Sequence, residues 1–248
     1  MSPLEALAIA GAGLAAGTVN TVVGSGTLIT FPTLLAFGYP AVLANVSNSV
    51  GLVPGSASSV VATRAGLAGQ GRRVVVLAGA SASGALTGAV LLLALPHSVF
   101  RAVVPALILV ACALVAVQPR LARALADSRR RPHGGRTLFG LVFVTGVYGG
   151  YFGAAQSVIL LGLLGVFLAD GLHRLNATKN VLTLLVNTVS ALFFIAATHV
   201  AWGPAGLVAL GAVVGGQVGG VVARRLPAEA FRLVIIVVGV TAAAVLLA

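Results

Sequence analysis

The stretch "GTVNTVVGSGTLITFP", Gly17 to Pro32, decides the fold, and it has a counterpart in "GVYGGYFGAAQSVILL", Gly146 to Leu161. A glycine in a helix interior costs about 1 kcal/mol relative to alanine, and proline costs about 3. Gly24, Gly26 and Pro32 in the first stretch, and Gly149, Gly150 and Gly153 in the second, therefore predict interrupted helices. In a soluble chain such runs suggest a phosphate-binding loop. No G-x-x-x-x-G-K-[ST] pattern occurs here and no lysine follows the glycines, so the nucleotide reading fails.

The surroundings of the two stretches are membrane-like. Of the 248 residues, 59% are hydrophobic and 8% charged, against about 25% charged in an ordinary soluble domain. Apolar runs such as Val74 to Leu95, Ala102 to Val117, Gly203 to Ala223 and Phe231 to Leu247 approach the roughly 17 to 25 residues that cross a bilayer as helix. The expected class is an all-α polytopic membrane protein. A helix broken inside lipid leaves N–H and C=O groups unpaired, so the breaks must face protein, water or a ligand. Short helices near the midplane, with amides and positive helix ends turned inward, suit an anion.

The net charge of +11 does not point to nucleic acid. Its carriers gather where apolar runs end: Arg64, Arg72 and Arg73, then Arg120 through Arg136, then Arg224 and Arg225. That is the pattern of cytoplasmic loops. A single cysteine, Cys112, offers neither a disulfide framework nor a thiolate metal site. The acids Glu5, Asp127, Asp170 and Glu229 and the histidines His97, His133, His173 and His199 all fall near loops or segment ends. They form no catalytic pair and no metal-ligand spacing, so no enzyme activity, metal or cofactor is expected. The first apolar run has an acidic residue and no basic one before it, and reads as a membrane helix rather than a cleaved signal.

Superposing the two glycine-rich stretches divides the chain into a transmembrane repeat over residues 1–117, a basic cytoplasmic linker over 118–137 and a second repeat over 138–248. Asn45, Ser47 and Asn48 fall opposite Asn176, Thr178 and Lys179. The loop after the helix from Val46 to Ala62 carries Arg64, Arg72 and Arg73, whereas its counterpart, Thr198 to Gly206, has no Arg or Lys. Conversely, "LPHSVFRAV" has one arginine where "ARRLPAEAFR" has three. The bias changes sides, which predicts two repeats of inverted topology with an odd number of crossings each. Two geometries satisfy the glycine breaks. Either Leu7 to Val23 and Leu28 to Phe37, with Leu138 to Phe152 and Ser157 to Leu168, cross separately, or each pair forms a re-entrant hairpin.

Polar side chains accompany the breaks: Asn20, Thr21, Ser25 and Thr27 in the first, Tyr148, Tyr151, Gln156 and Ser157 in the second. Asn45, Ser47 and Asn48 can cap the next helix. Lys179, the only lysine, reads as lying at a helix start, where the dipole is already positive. Together they would favour a bound anion or a carboxylate such as Asp170; the alternative is a lysine snorkelling to the cytoplasmic surface. Asn187 and Ser190 line a pathway or join helices. Gly13 with Gly17, Gly84 with Gly88, and Gly211, Gly215 and Gly219 read as close-packing faces, which could also serve a homo-oligomer.

The run "GLAAGTVNTVVGSGTLITFPTLLAFGYPAVLANVSNS", with "GVYGGYFGAAQSVILLGLLG" and "LNATKNVLTLLVN" in the second half, resembles the sulfite exporter TauE/SafE family of membrane permeases. The likeness covers essentially the whole chain. Gly17, Asn20, Gly24, Gly26, Pro32 and Asn45 match the family's first motif; Gly149, Gly150, Gly153, Asn176, Thr178 and Lys179 match the second. Ser25 stands where a further glycine is common. The resemblance implies a secondary transporter, multi-pass in the cytoplasmic (inner) membrane, exporting a small anion such as sulfite or a small organosulfonate. The expected partners are that substrate and membrane lipid. The expected substrate contacts are Asn20, Gly24, Ser25, Gly26, Thr27, Asn45, Asn48, Gly150, Gly153, Gln156, Asn176, Thr178 and Lys179. The alternative is a non-transporting membrane partner or assembly protein.

Overall fold

The computed structural model describes residues 1–22, 24–126, 135–222 and 228–247, and the regular structure of these residues is helical. Arg224, Arg225, Asp127 and His133 lie outside them. Helix α1 (Pro3–Val22) opens with a reciprocal cap: Glu5 N donates to Ser2 Oγ and Ser2 N to Glu5 Oε2, both at 3.2 Å. After the break comes the short α2 (Thr27–Ala36), ended by Gly38 in a left-handed turn at φ 84°. Then follow α3 (Ala41–Thr63), a single 3-10 turn (Arg64–Leu67), α4 (Gly71–Ala94) and α5 (His97–Ala126). The second half runs α6 (Gly135–Tyr151), α7 (Gln156–Phe167), α8 (Leu172–Ala197), α9 (Trp202–Val222) and α10 (Ala228–Leu247).

Among the described residues, three helices are long and apolar enough to cross a membrane: Gly71–Ala94, His97–Arg120 and Leu172–Ala197. The chain is an all-α polytopic membrane protein. The described part of the linker is less irregular than its composition suggests. Residues Gln118 to Ala126 continue α5, and α6 begins at Gly135.

Both glycine-rich stretches are hairpins. Gly26 N donates to Asn20 Oδ1 (2.8 Å), and Tyr39, just past α2, donates its hydroxyl to Glu5 Oε1 at the start of α1 (2.8 Å). Helix α2 thus returns to the end from which α1 departs. Its turn stops short of the far end: Thr21 reaches Gly216 O of α9 (3.4 Å), and α9 runs on to Val222, about 9 Å further at 1.5 Å per residue. In the second half Leu138 and Val142 of α6 share a buried cluster with Leu160 and Leu164 of α7 and with Leu168 beyond it, so α7 likewise folds back on α6. Separate short crossings are therefore replaced by hairpins, and helix pairing solves the problem that a ten-residue segment cannot span the hydrocarbon.

The helices pack reciprocally. Helix α1 lies along α9, and α6 along α4; α3 packs on α9, and α8 on α4; α3 crosses α8, α5 meets α10, α2 touches α10, and α7 touches α5. Glycine makes the two longest seams. A Cβ on Gly17 would stand 2.2 Å from Ala212 O and one on Gly215 2.0 Å from Leu14 O; on Gly84 and Gly88 the clashes would be with Phe143 O (2.2 Å) and Val147 O (2.0 Å). The glycine faces of Gly13 and Gly17, Gly84 and Gly88, and Gly211 and Gly215 pack within the chain itself. Where α3 crosses α8, Asn187 Nδ2 donates to Ser56 Oγ (2.9 Å) and Asn180 Nδ2 to Thr63 Oγ1 (3.1 Å). Asn187 joins helices.

Candidate functional site

The two hairpin turns meet. Gly24, at φ 89°, sits where any side chain would collide with Ser157 in the first turn of α7, 2.5 Å from its Cβ. Aromatic rings tie the same region together, with Phe31 of α2 edge-on to Phe152 (centroids 5.3 Å) and Phe100 of α5 against Phe152 and Tyr151. The second turn is held by Tyr148, whose hydroxyl donates to Ala154 O (2.5 Å), and by Gly153 and Ala155 in left-handed conformation at φ 77° and 58°. For alanine that conformation costs about 1–2 kcal/mol. The tight turn makes room for Gln156, whose amide group occupies the space left by the absent side chain of Gly149.

Lys179 comes to this junction from α8. Its Nζ lies 3.6 Å from the position a Cβ on Gly24 would take, and the residue is 3% exposed. It does not snorkel. Among the described residues it has neither an ion pair nor a hydrogen bond. Thr183, one turn along the same face, shares a hydrogen bond with Ser157 across 3.2 Å. Three further buried polar atoms in the two turns and the facing α3 have no partner among the described residues: Ser25 Oγ, Gln156 Nε2 and Asn45 Oδ1. Asp170 is not the counter-charge of Lys179. It binds Arg73 and Arg174, the latter at 3.0 Å, at the end where the 3-10 turn meets α8.

The expected contacts divide accordingly. Gly24, Ser25, Gln156 and Lys179 gather at the junction, with Gly153 forming the second turn and Thr27 buried at the start of α2. Asn20 closes the first hairpin on Gly26, which packs against Ala16. Asn45 Nδ2 donates to Tyr151 O (3.0 Å), so α3 grips the second hairpin, and Asn48 pairs with Thr30. Gly150 is a packing residue against Ala85 of α4. Asn176 is half-buried. Thr178 faces away from the junction, donating to Gln70 Oε1 (3.0 Å), while Gln70 Nε2 bonds Gly66 O (2.6 Å).

Two helix starts differ from expectation. Helix α3 begins at Ala41 and α8 at Leu172, so Asn45, Ser47 and Asn48 do not cap α3, Ser47 Oγ instead accepting from Ala201 N just before α9 (2.9 Å), and Lys179 stands two turns inside its helix. The dipole effect fades within the first turn. The positive ends at the junction are therefore those of α2 and α7, brought in by tertiary packing. Thr183 and Gln70 were not anticipated; only the spacing of Thr183, four residues after Lys179, could have signalled it.

A cavity of about 1130 Å³ lies elsewhere, between the ends of α2 and α10 and the starts of α3 and α5. Its walls include Leu43, Val46, Val238 and Leu246, with His97, Arg101 and His199 also lining it, and none of the expected contacts does.

The chain matches the family described as "Sulfite exporter TauE/SafE" over residues 9–246. It is 28% identical over 238 residues to a Sinorhizobium protein named "Probable membrane transporter protein ORF9", covering 94% of this chain and 88% of that one. A Haemophilus influenzae "Probable membrane transporter protein" is 24% identical over 209 residues, covering 84% and 80% respectively. No solved structure matches.

Proposed function

Since this chain belongs to the sulfite exporter TauE/SafE family of membrane transporters, we propose that it is a secondary transporter of the cytoplasmic membrane moving a small anion, with sulfite or a small organosulfonate as first substrates. The observation that carries this reading is Lys179, a buried ammonium without a counter-charge among the described residues. An ion taken from water into protein loses several kcal/mol of solvation unless it is paired. An anion seated between the hairpin turns would supply the missing charge, and the N-terminus of α7 adds positive potential at the same place.

The two halves are inverted repeats in this reading. Its support is the exchange of basic loops between the halves together with the reciprocal packing of α1 on α9 and α6 on α4. The hairpins then enter from opposite faces and meet near the midplane, leaving three full crossings in each half. Arg73, Asp170 and Arg174 close the cytoplasmic end, and the large cavity belongs to the opposite end. The membrane potential, about 2.3 kcal/mol per charge per 100 mV, assists anion export and opposes uptake, so export needs no coupling ion. Both named relatives are described as membrane transporters, which favours transport over an assembly role.

Counterflow in reconstituted vesicles tests the proposal. Vesicles preloaded with sulfite or ethanesulfonate should accumulate the labelled compound, and empty or protein-free vesicles should not. Folded protein that exchanges neither would overturn it.

A further inference from the structure

We infer that the anion's route from the hairpin junction to the large cavity follows one face of α8, and that the Phe194 ring is the gate across it; this rests on the anion-transport reading above. Spacings of four, four, three and four residues put Lys179, Thr183, Asn187, Ser190 and Phe194 within an arc of about 80° on the helix, at about 100° per residue. The face looks into the protein. Thr183 bonds Ser157 of α7 and Asn187 bonds Ser56 of α3, whereas Leu192 and Ile195 on the other side of α8 are exposed. Polar side chains at membrane depth are costly unless they pair or line a polar passage. From Lys179 to Phe194 the helix rises about 22 Å, and just past its end Thr198 and His199 line the cavity. The face therefore joins the junction to the cavity.

Accessibility changes along this face. Thr183 and Asn187 are half-buried although they point inward, so a crevice reaches them. Ser190 is 2% exposed, and its hydroxyl has no partner among the described residues. One turn on, Phe194 is 0% exposed, with its ring edge-on to Phe193. It shares a buried cluster with Val46, which is itself part of the cavity wall. A phenyl ring thus stands between an unsatisfied buried hydroxyl and an open cavity. The first half carries no such ring. With Asn48 aligned on Lys179, the matching positions of α3 are Leu52, Ser56, Ser59 and Thr63. That face ends in a hydroxyl, which accepts from Asn180 (3.1 Å), at the end where Asp170 holds Arg73 and Arg174. One end of the molecule is closed by ion pairs and the other by hydrocarbon. Hydrocarbon offers an anion no place to rest, so it closes the route whenever the ring is in place, and a ring turned aside exposes the Ser190 hydroxyl to a passing oxyanion.

Thiol accessibility tests the route in the full chain, with Cys112, its only cysteine, replaced by alanine. Ser190→Cys and Thr198→Cys are each exposed, in intact cells, to a membrane-impermeant methanethiosulfonate that carries a sulfonate group. Thr198→Cys is expected to react quickly and Ser190→Cys slowly. Adding Phe194→Ala to Ser190→Cys should speed its labelling at least about tenfold, a shift of one decade in the open population. Phe194→Leu, which disturbs the packing less, should speed it by a smaller factor; a melting transition for each variant shows that it folds. Ser190→Cys reacting as fast as Thr198→Cys with Phe194 in place would overturn the gate. Ser190→Cys that stays slow in both folded Phe194 variants would overturn the route. Either result leaves transport standing if the unaltered chain exchanges sulfite in counterflow, whereas a folded unaltered chain that exchanges no anion would remove the transport reading and the inference together.

Discussion

The two hairpins are alike in construction and unlike in chemistry. Each turns on glycine at positive φ, sends a short helix back along a longer one, and is gripped by a long helix from elsewhere in the fold. The second hairpin is gripped by Asn45 of α3, an uncharged amide that satisfies the carbonyl of Tyr151. The first is faced by Lys179 of α8, a cation with no hydrogen bond or ion pair among the described residues. At the aligned position of the first half stands Asn48, already paired with Thr30. The two hairpins thus share a construction and differ in what faces them, a paired amide at one and a buried ammonium at the other.

The comparison breaks most severely at the seams that hold the two frames. Gly88→Ala and Gly215→Ala each drive a methyl group to about 2.0 Å from a backbone oxygen of the neighbouring helix, and backbone cannot rotate aside. Each is expected to cost about 3 kcal/mol, the upper end of overpacking effects; equal losses in thermal melts would show that the α4–α6 and α1–α9 seams are equivalent, and an unaffected variant would separate them. Next come the aligned positions themselves, where opposite signs are expected. Asn48→Leu removes the partner of Thr30 and should destabilise by about 1 to 2 kcal/mol. Lys179→Met relieves an unpaired buried charge and should raise the stability of the ligand-free chain by about 1 kcal/mol or more. Chemical unfolding in an anion-free buffer reads both, and a destabilised Lys179→Met would mean that the ammonium has a partner after all.

The two ends of the molecule sharpen the contrast more gently. Asp170→Asn leaves Arg73 and Arg174 side by side at a partly exposed site, with an expected loss of up to about 1 kcal/mol that shrinks as salt is added. Insensitivity to salt would point away from charge. At the other end, burial and then the hydrogen bond and charge of Glu5 raise the Tyr39 phenol above its ordinary value. Glu5→Gln should bring that titration back down, as followed by phenolate absorbance against pH, and an unmoved curve would remove Glu5 as a contributor.

Much of this was legible from residues alone. The apolar runs, the scarcity of charge and the paired glycine stretches announce a polytopic helical protein with interrupted helices, because hydrophobic length and glycine content act locally. Ser25, Gln156 and Lys179 stand out for a related reason, since polar residues are costly in an apolar chain unless paired, and Gly24 stands out as part of the helix break beside them. Gly150 and Thr178 look the same in sequence but pack elsewhere, against Ala85 and Gln70, since whether a small or polar residue faces one neighbour or another depends on rotation about an axis that spacing leaves free.

What the sequence by itself determined, then, is where helix cannot continue and where charge is allowed. Only tertiary structure decided that the broken segments fold back as hairpins, since a glycine break has the same composition whether the chain passes on or returns. It also decided which positive helix ends stand beside Lys179. They are those of α2 and α7 and not that of the lysine's own helix, because an ammonium two turns into a helix feels the groups packed against it more than the terminus it has left behind.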